Sequence, residues 1–250
     1  MFDLSDSVVL VTGASRGIGR AIALEAARAG ADLVLGFRAD APGAEEVSAR
    51  VRKAGRDTRV IRADLRDRAA VAALVREAGA WKGRLDGLVT SAGTYDGSST
   101  EEVGDREWDD VVRIDLEGTF RTVQAALPWL RAAGRASVVT ISSVMGSHAA
   151  AGAAPYQAGK AGVEQMTRAL ALELAPKIRV NAVAPGFVRT DMNRGGHEDP
   201  GFRRRVERST PLGRWGEPED IAPVVRYLLS RDAGWVTGSV IGVDGGIALR

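Results

Sequence analysis

Seven short apolar runs recur down the chain: VVLVT near Val8, DLVLGF near Leu33, TRVIRAD near Val60, DGLVTSAG near Leu88, SVVTISS near Val138, IRVNAVAPG near Val180 and SVIGVDGG near Val240. Brief, continuous apolarity bounded by turn residues predicts strands buried on both faces. Between them lie GRAIALEAARAG, AEEVSARVRKAG, AAVAALVREAGA, WDDVVRIDLEGTFRTVQAALPWLRAAG and YQAGKAGVEQMTRALALELA, whose apolar residues recur at helical spacings. Strands separated by helices do not form hairpins, so they pair in parallel through crossovers. The pattern predicts an α/β fold, a doubly wound parallel sheet of about seven strands with helices on both faces. At 250 residues the chain suits one domain over 1–250 with a sizeable core.

The segment 186–213, with FVRTDMNRGGHEDPGFRRRVERSTPLG, breaks the rhythm, being polar, glycine-interrupted and long for a connection. Such a segment predicts a functional lid or disorder, with the RRRVER run at Arg203 as a solvated lid helix. Its bound shape, which would decide the substrate, is not readable from sequence.

Composition narrows the function. With 34 basic and 32 acidic residues the charge is nearly balanced, and no nucleic-acid footprint follows. The absence of cysteine excludes disulfides, thiolate nucleophiles and cysteine-ligated metals. MFDLSD has no basic leader character, and no apolar run approaches a membrane span of roughly 18 residues, so a soluble, cytoplasmic protein with no membrane partner is expected. His148 and His197 are far apart without acidic neighbours at ligand spacing; no metal is expected, and the two read as a cleft residue and a lid residue. Trp108, Trp129, Trp215 and Trp235 read as packing or subunit-contact residues.

The first strand runs into TGASRGIG, Thr12 to Gly19, and then a helix. A glycine-rich turn there is either a plain structural turn or a cradle whose backbone amides and helix end receive a pyrophosphate. After the second strand, where an acid would hold an adenosine ribose, stand Phe37 and Arg38. Arg38 is either a solvated arginine or, with Arg16, a clamp for a 2′-phosphate. Farther on, Tyr156 and Lys160 stand four apart, so on a helix phenol and ammonium share one face, as a surface pair or as parts of one small site.

TGASRGIG, Asp64-Leu65 after the third strand, Ser91-Ala92-Gly93 after the fourth, Ser143, Tyr156-x-x-x-Lys160 and Pro185-Gly186 together resemble, in order and spacing, the short-chain dehydrogenase/reductase family. WVTGSVIGVDGG and RVNAVAPGFVRTDM are similar to its 3-oxoacyl-acyl-carrier-protein reductase branch and related polyketide ketoreductases. The resemblance implies a Rossmann-type, NADPH-dependent carbonyl reductase. Tyr156 would give a proton to a carbonyl oxygen, Ser143 would hydrogen-bond that oxygen, and Lys160 would tune Tyr156 and hold the nicotinamide ribose. It implies that NADPH/NADP rests on Gly13, Ser15, Arg16, Gly17, Ile18, Gly19, Arg38, Asp64, Leu65, Ser91, Ala92, Gly93, Tyr156, Lys160, Pro185, Gly186, Val188 and Thr190. The partners implied are a small ketone or acyl thioester, free or carrier-protein-bound, and further copies of this chain in a homotetramer.

Two positions depart from the family pattern. Ser91 stands where most members carry Asn, and Asp115 in IDLEGTF stands where a catalytic Asn is usual. An ionised Asp115 facing Lys160 would partly cancel the lysine's effect on Tyr156 and favour reduction over oxidation. Turned toward a neighbouring backbone amide, it would affect stability alone. A Ser-Tyr-Lys hydrolase is disfavoured because no G-x-S-x-G elbow precedes a helix. The remaining alternative is a cofactor-binding sensor or scaffold that has lost turnover.

Overall fold

The computed structural model describes residues 2–95 and 97–249. Each apolar run is a strand: β1 (Val8–Thr12), β2 (Asp32–Phe37), β3 (Thr58–Arg62), β4 (Gly87–Thr90), β5 (Ala136–Ile141), β6 (Ile178–Pro185) and β7 (Val240–Val243). They form one seven-stranded parallel sheet in the order β3-β2-β1-β4-β5-β6-β7. Every residue of β1, β4 and β5 is buried, whereas the edge strands β3 and β7 keep partly exposed positions. Continuous apolar runs are what a sheet covered on both faces requires.

Alternate residues of β1 serve opposite layers. Val9 and Val11 join the core beneath α1 (Gly17–Arg28), α2 (Ala41–Lys53) and α9 (Pro218–Leu229). Val8 and Leu10 join the core beneath α3 (Arg68–Lys82), α5 (Gly118–Ala132) and α6 (Ala154–Leu174). Asp40 caps α2 by accepting from the Gly43 amide, and Asp67 caps α3 by accepting from Ala69. Strand order reverses between β1 and β4, and this opens a crevice beyond their carboxyl ends, the usual place for a ligand in such sheets.

Two segments differ from the sequence expectation. The long helix expected from Trp108 is α4 (Asp105–Val111), then a π-helical stretch over Val112–Glu117, then α5. The segment 186–213 is more helical than expected: α8 (Pro200–Ser209) holds the helix expected at Arg203, and a 3₁₀ turn at Asp191–Asn193 and α7 (Arg194–Glu198) precede it. Asp199 caps α8 at the Phe202 amide and Pro200 opens the helix. Phe187, Phe202 and Trp215 pack edge-on or tilted at centroid separations of 5.4–6.1 Å and give the segment an apolar core. Its polarity belongs to the outer face of short helices, which explains why it reads as a loop. Trp215 is buried there, while Trp235 is fully exposed.

Candidate active site

The cleft at the carboxyl ends of β1 and β4 is lined by Gly13, Ser15, Arg16, Gly17, Ile18 and Gly19, by Arg38, Asp64 and Leu65, by Ser91, Ala92 and Gly93, by Ser143, Tyr156 and Lys160, and by Pro185, Gly186, Val188 and Thr190. Asp115 lies behind this wall and is 1% exposed. His148 does not line the cleft, contrary to the sequence reading. It is exposed and hydrogen-bonded to the neighbouring Ser147 hydroxyl at 3.0 Å, because the turn after β5 carries it past the opening. His197 sits on α7, edge-on to Trp215.

The glycine turn is close-packed. Gly13 has φ +67°, and a Cβ there would lie 2.8 Å from Ala92 Cα; a Cβ on Gly19 would lie 2.2 Å from the Gly13 carbonyl oxygen. Unlike α2 and α3, α1 has no side-chain cap, so its first-turn amides are not taken by an Asp or Ser of its own. A phosphate group fits a cradle of bare backbone backed by a helix N-terminus. Thr12, on which the sequence reading placed no role, fastens the opposite wall. Its Oγ1 accepts from the Ser91 and Ala92 amides at 3.1 and 3.2 Å.

At the far end of the cleft Arg38 is exposed, and its carbonyl accepts from Arg62 Nε at 3.0 Å. Arg16 Nη1 stands 3.8 Å from Asp191 of the 3₁₀ turn. Asp64 is gripped by Arg66, with Nη2 2.6 Å from Oδ2 and Nε 3.1 Å from Oδ1, and Arg66 also reaches Asp110. Arg66, with Arg38 assisting, holds Asp64 below the ordinary carboxylate range against the opposing effect of burial.

The end of the cleft that holds Ser143, Tyr156 and Lys160 is built by three elements. Ser143 follows β5 and caps a 3₁₀ turn, Val144–Gly146, its Oγ accepting from the Met145 amide at 3.2 Å. Tyr156 and Lys160 stand one turn apart on α6, with Nζ 5.4 Å from the phenol ring centroid. Tyr95 lies edge-on to Tyr156 at 5.1 Å and forms an aromatic wall that the sequence reading did not name. The Lys160 ammonium donates to the Ile141 carbonyl at 3.1 Å and stands 3.0 Å from Asp115 Oδ2. That last contact is an ion pair off the hydrogen-bonding direction.

Asp115 reaches the lysine from the π-helical stretch, an irregularity that recurs at functional sites. Its other oxygen accepts from the Thr94 amide at 2.8 Å, so the two orientations weighed from sequence coexist, one for each oxygen. Burial works against the Lys160 ammonium, but the Asp115 carboxylate and the Tyr156 phenol outweigh it and hold the lysine above its ordinary range. Burial pushes Asp115 above the usual carboxylate range, opposed by Lys160 and the Thr94 amide. The Lys160 ammonium and the Asp115 carboxylate facing it form a pair that is electrically neutral overall.

Comparison with known proteins agrees with this architecture. Residues 13–248 match a family model described as Enoyl-(Acyl carrier protein) reductase. The chain is 40% identical over 246 residues to the 3-oxoacyl-(acyl-carrier-protein) reductase FabG of Pseudomonas aeruginosa, covering 98% of each. It is 38% identical over 244 residues to the cis-4-hydroxycyclohexanecarboxylate dehydrogenase of Sinomonas cyclohexanicum, covering 97% of this chain and 96% of that one. The solved Pseudomonas aeruginosa RhlG/NADP active-site complex superposes with TM-score 0.93 at 36% identity, covering 99% of this chain and 98% of that chain. A seven-stranded sheet, a glycine cradle at its crevice and a near full-length match to these relatives together make the chain a member of the short-chain dehydrogenase/reductase family of oxidoreductases.

Proposed function

We propose that this protein is an NADPH-dependent carbonyl reductase acting on a 3-oxoacyl thioester, a polyketide-like compound or a similar ketone. The observation that carries the reading is the gathering of Ser143, Tyr156 and Lys160 at one end of a cleft whose other end is a bare-backbone phosphate cradle. NADPH, when bound, supplies the hydride. Gly13 to Gly19 would hold its pyrophosphate, Arg38 with Arg16 its 2′-phosphate, and Lys160 its nicotinamide ribose. The exposed Arg38, standing where an acid would select NADH, supports the phosphate-bearing cofactor.

Tyr156 gives its proton to the substrate oxygen and Ser143 donates a hydrogen bond to the same oxygen. Both stabilise negative charge that develops only as the carbonyl is reduced. Lys160 orients the phenol, and Asp115 keeps the lysine charged and aimed. The named relatives include two that act at C=O or CH–OH groups, which supports a carbonyl over the carbon–carbon double bond in the family model's description.

The test is NADPH consumption over a panel of ketones, including 3-oxoacyl thioesters free and carrier-bound. Binding of NADPH with no turnover on any of them would replace this reading with a cofactor-binding sensor or scaffold. The ion pair that occupies Lys160 is the observation behind that second reading. We further read the protein as a cytoplasmic homotetramer, supported by exposed Trp108, Phe120, Leu172 and Trp235 on the helices and the β7 approach. A monomer by light scattering at micromolar concentration would refute that assembly. Among the described residues no helix is long and apolar enough to cross a membrane.

A further inference from the structure

Glu164 lies one helical turn beyond Lys160 on α6 and is 4% exposed, a burial that a carboxylate tolerates only with polar partners. Its Oε1 accepts from the Ser142 hydroxyl at 3.1 Å, and the same hydroxyl stands 3.2 Å from the Lys160 carbonyl oxygen. Its Oε2 is 3.8 Å from Arg168 Nη2. Ser142 immediately precedes Ser143, so the carboxylate holds the start of the turn that presents Ser143. The other end of the turn passes close against the same carboxylate. The Gly146 amide donates to the Ser143 carbonyl at 2.9 Å, and a Cβ on Gly146 would stand 2.6 Å from Glu164 Oε1 and 3.0 Å from Ser142 Oγ. The turn has room to rest on the carboxylate only because residue 146 is glycine.

We propose that Glu164 is a positioning residue that docks the Ser142–Gly146 turn onto α6 and so sets the Ser143 hydroxyl in register with Tyr156 and Lys160. The proposal rests on the reductase reading above for its catalytic consequence, and on the turn's geometry alone for its structural one. Glu164 touches no reacting atom; through Ser142 it ties the turn that carries Ser143 to the helix that carries Tyr156 and Lys160, beside the tie that Lys160 Nζ makes to the Ile141 carbonyl. Misplacing a positioned group by about 1 Å costs up to about 100-fold in rate.

The experiment compares Glu164→Leu, Glu164→Gln and Gly146→Ala, each alone and the first also with Ser143→Ala. Glu164→Leu should lower kcat about 10- to 100-fold with the KM for NADPH within a few-fold, and Glu164→Gln, which keeps an acceptor, should stay within about 3-fold of the parent. In the Ser143→Ala background, Glu164→Leu should cost less than about 2-fold more, since it acts through Ser143. Hydrogen exchange should accelerate over residues 142–147 in Glu164→Leu and Gly146→Ala and remain as in the parent for Glu164→Gln. Gly146→Ala reaches the clamp from the turn side, so it decides the matter if Glu164→Leu fails to fold. Losses that multiply in the double variant, Glu164→Gln as slow as Glu164→Leu, or unchanged exchange over 142–147 would each overturn the proposal. If the parent reduces no ketone, the reductase reading falls, and the exchange measurement still decides whether Glu164 holds the turn.

Discussion

Replacing Asp115 by Asn removes one negative charge from a buried, neutral pair and leaves the shape nearly unchanged. The carboxylate oxygen is 3.0 Å from Lys160 Nζ, and Nζ is 5.4 Å from the Tyr156 ring centroid, which places the removed charge within about 8 Å of the phenol. A unit charge at about 8 Å is worth about 2 kcal/mol at an effective dielectric near 20, and water on the cleft side of the ring cuts this by about a third to two thirds. The remainder is about half a pH unit to one unit. The sign follows from chemistry. Alcohol oxidation begins with loss of the phenol proton, which a neighbouring carboxylate opposes and a neighbouring ammonium assists.

Asp115→Asn should therefore move the oxidation profile to lower pH by about half to one unit, with reduction declining earlier on the alkaline side. The assay is kcat in both directions across the neutral and alkaline range for the two proteins. Superimposable profiles would refute the charge argument, and an upward shift would show that Lys160 surrenders its proton once uncompensated. Unfolding should register the same change. Breaking a buried pair from one side costs about 3–5 kcal/mol, less whatever the Ile141 carbonyl and the asparagine oxygen still recover as acceptors for the ammonium.

Three further outcomes follow from other parts of the molecule. Tyr156→Phe should lower the rate of reduction about 10²- to 10⁴-fold while NADPH affinity stays within a few-fold, because only the donated proton is lost; more than about a tenth of the parent kcat would identify another group as the acid. Arg38→Ala should weaken NADPH binding by about 2–4 kcal/mol, or about thirtyfold and more, and leave NADH little changed, as read by titration with each cofactor. Asp32 is raised by burial but held below the ordinary carboxylate range on balance by Lys82 at 2.7 Å, the Asp57 amide and Arg56 at 2.8 Å. Its contribution to stability is thus complete above the ordinary carboxylate value of 3.8 and lost as pH falls through the lower folded value, so Asp32→Asn should flatten the acid limb of a denaturation profile measured against pH.

The strands and most helices were legible because each reports its own burial. VVLVT is apolar throughout since β1 is covered on both faces, and the helix patterns repeat with the width of one buried stripe. The glycine cradle was legible for a similar reason, since a positive φ at Gly13 and the contact of Gly19 on the Gly13 carbonyl are demands that glycine alone meets. The segment 186–213 was only partly legible: the helix around Arg203 was expected, but its apolar core is assembled from Phe187, Phe202 and Trp215 on separate elements.

Only the tertiary structure could decide what meets across elements. Strand order brings β5 beside β4 and β6, and a π-helical stretch turns Asp115 onto Lys160 while Thr94 takes its other oxygen. The same packing sets Glu164 beneath Ser142 and lets Arg66 occupy Asp64. Periodicity records which face of a segment leaves water, but not which distant residue it meets there. Buried polar groups must find partners wherever the packed layers bring donors and acceptors within reach, and that matching belongs to the whole fold.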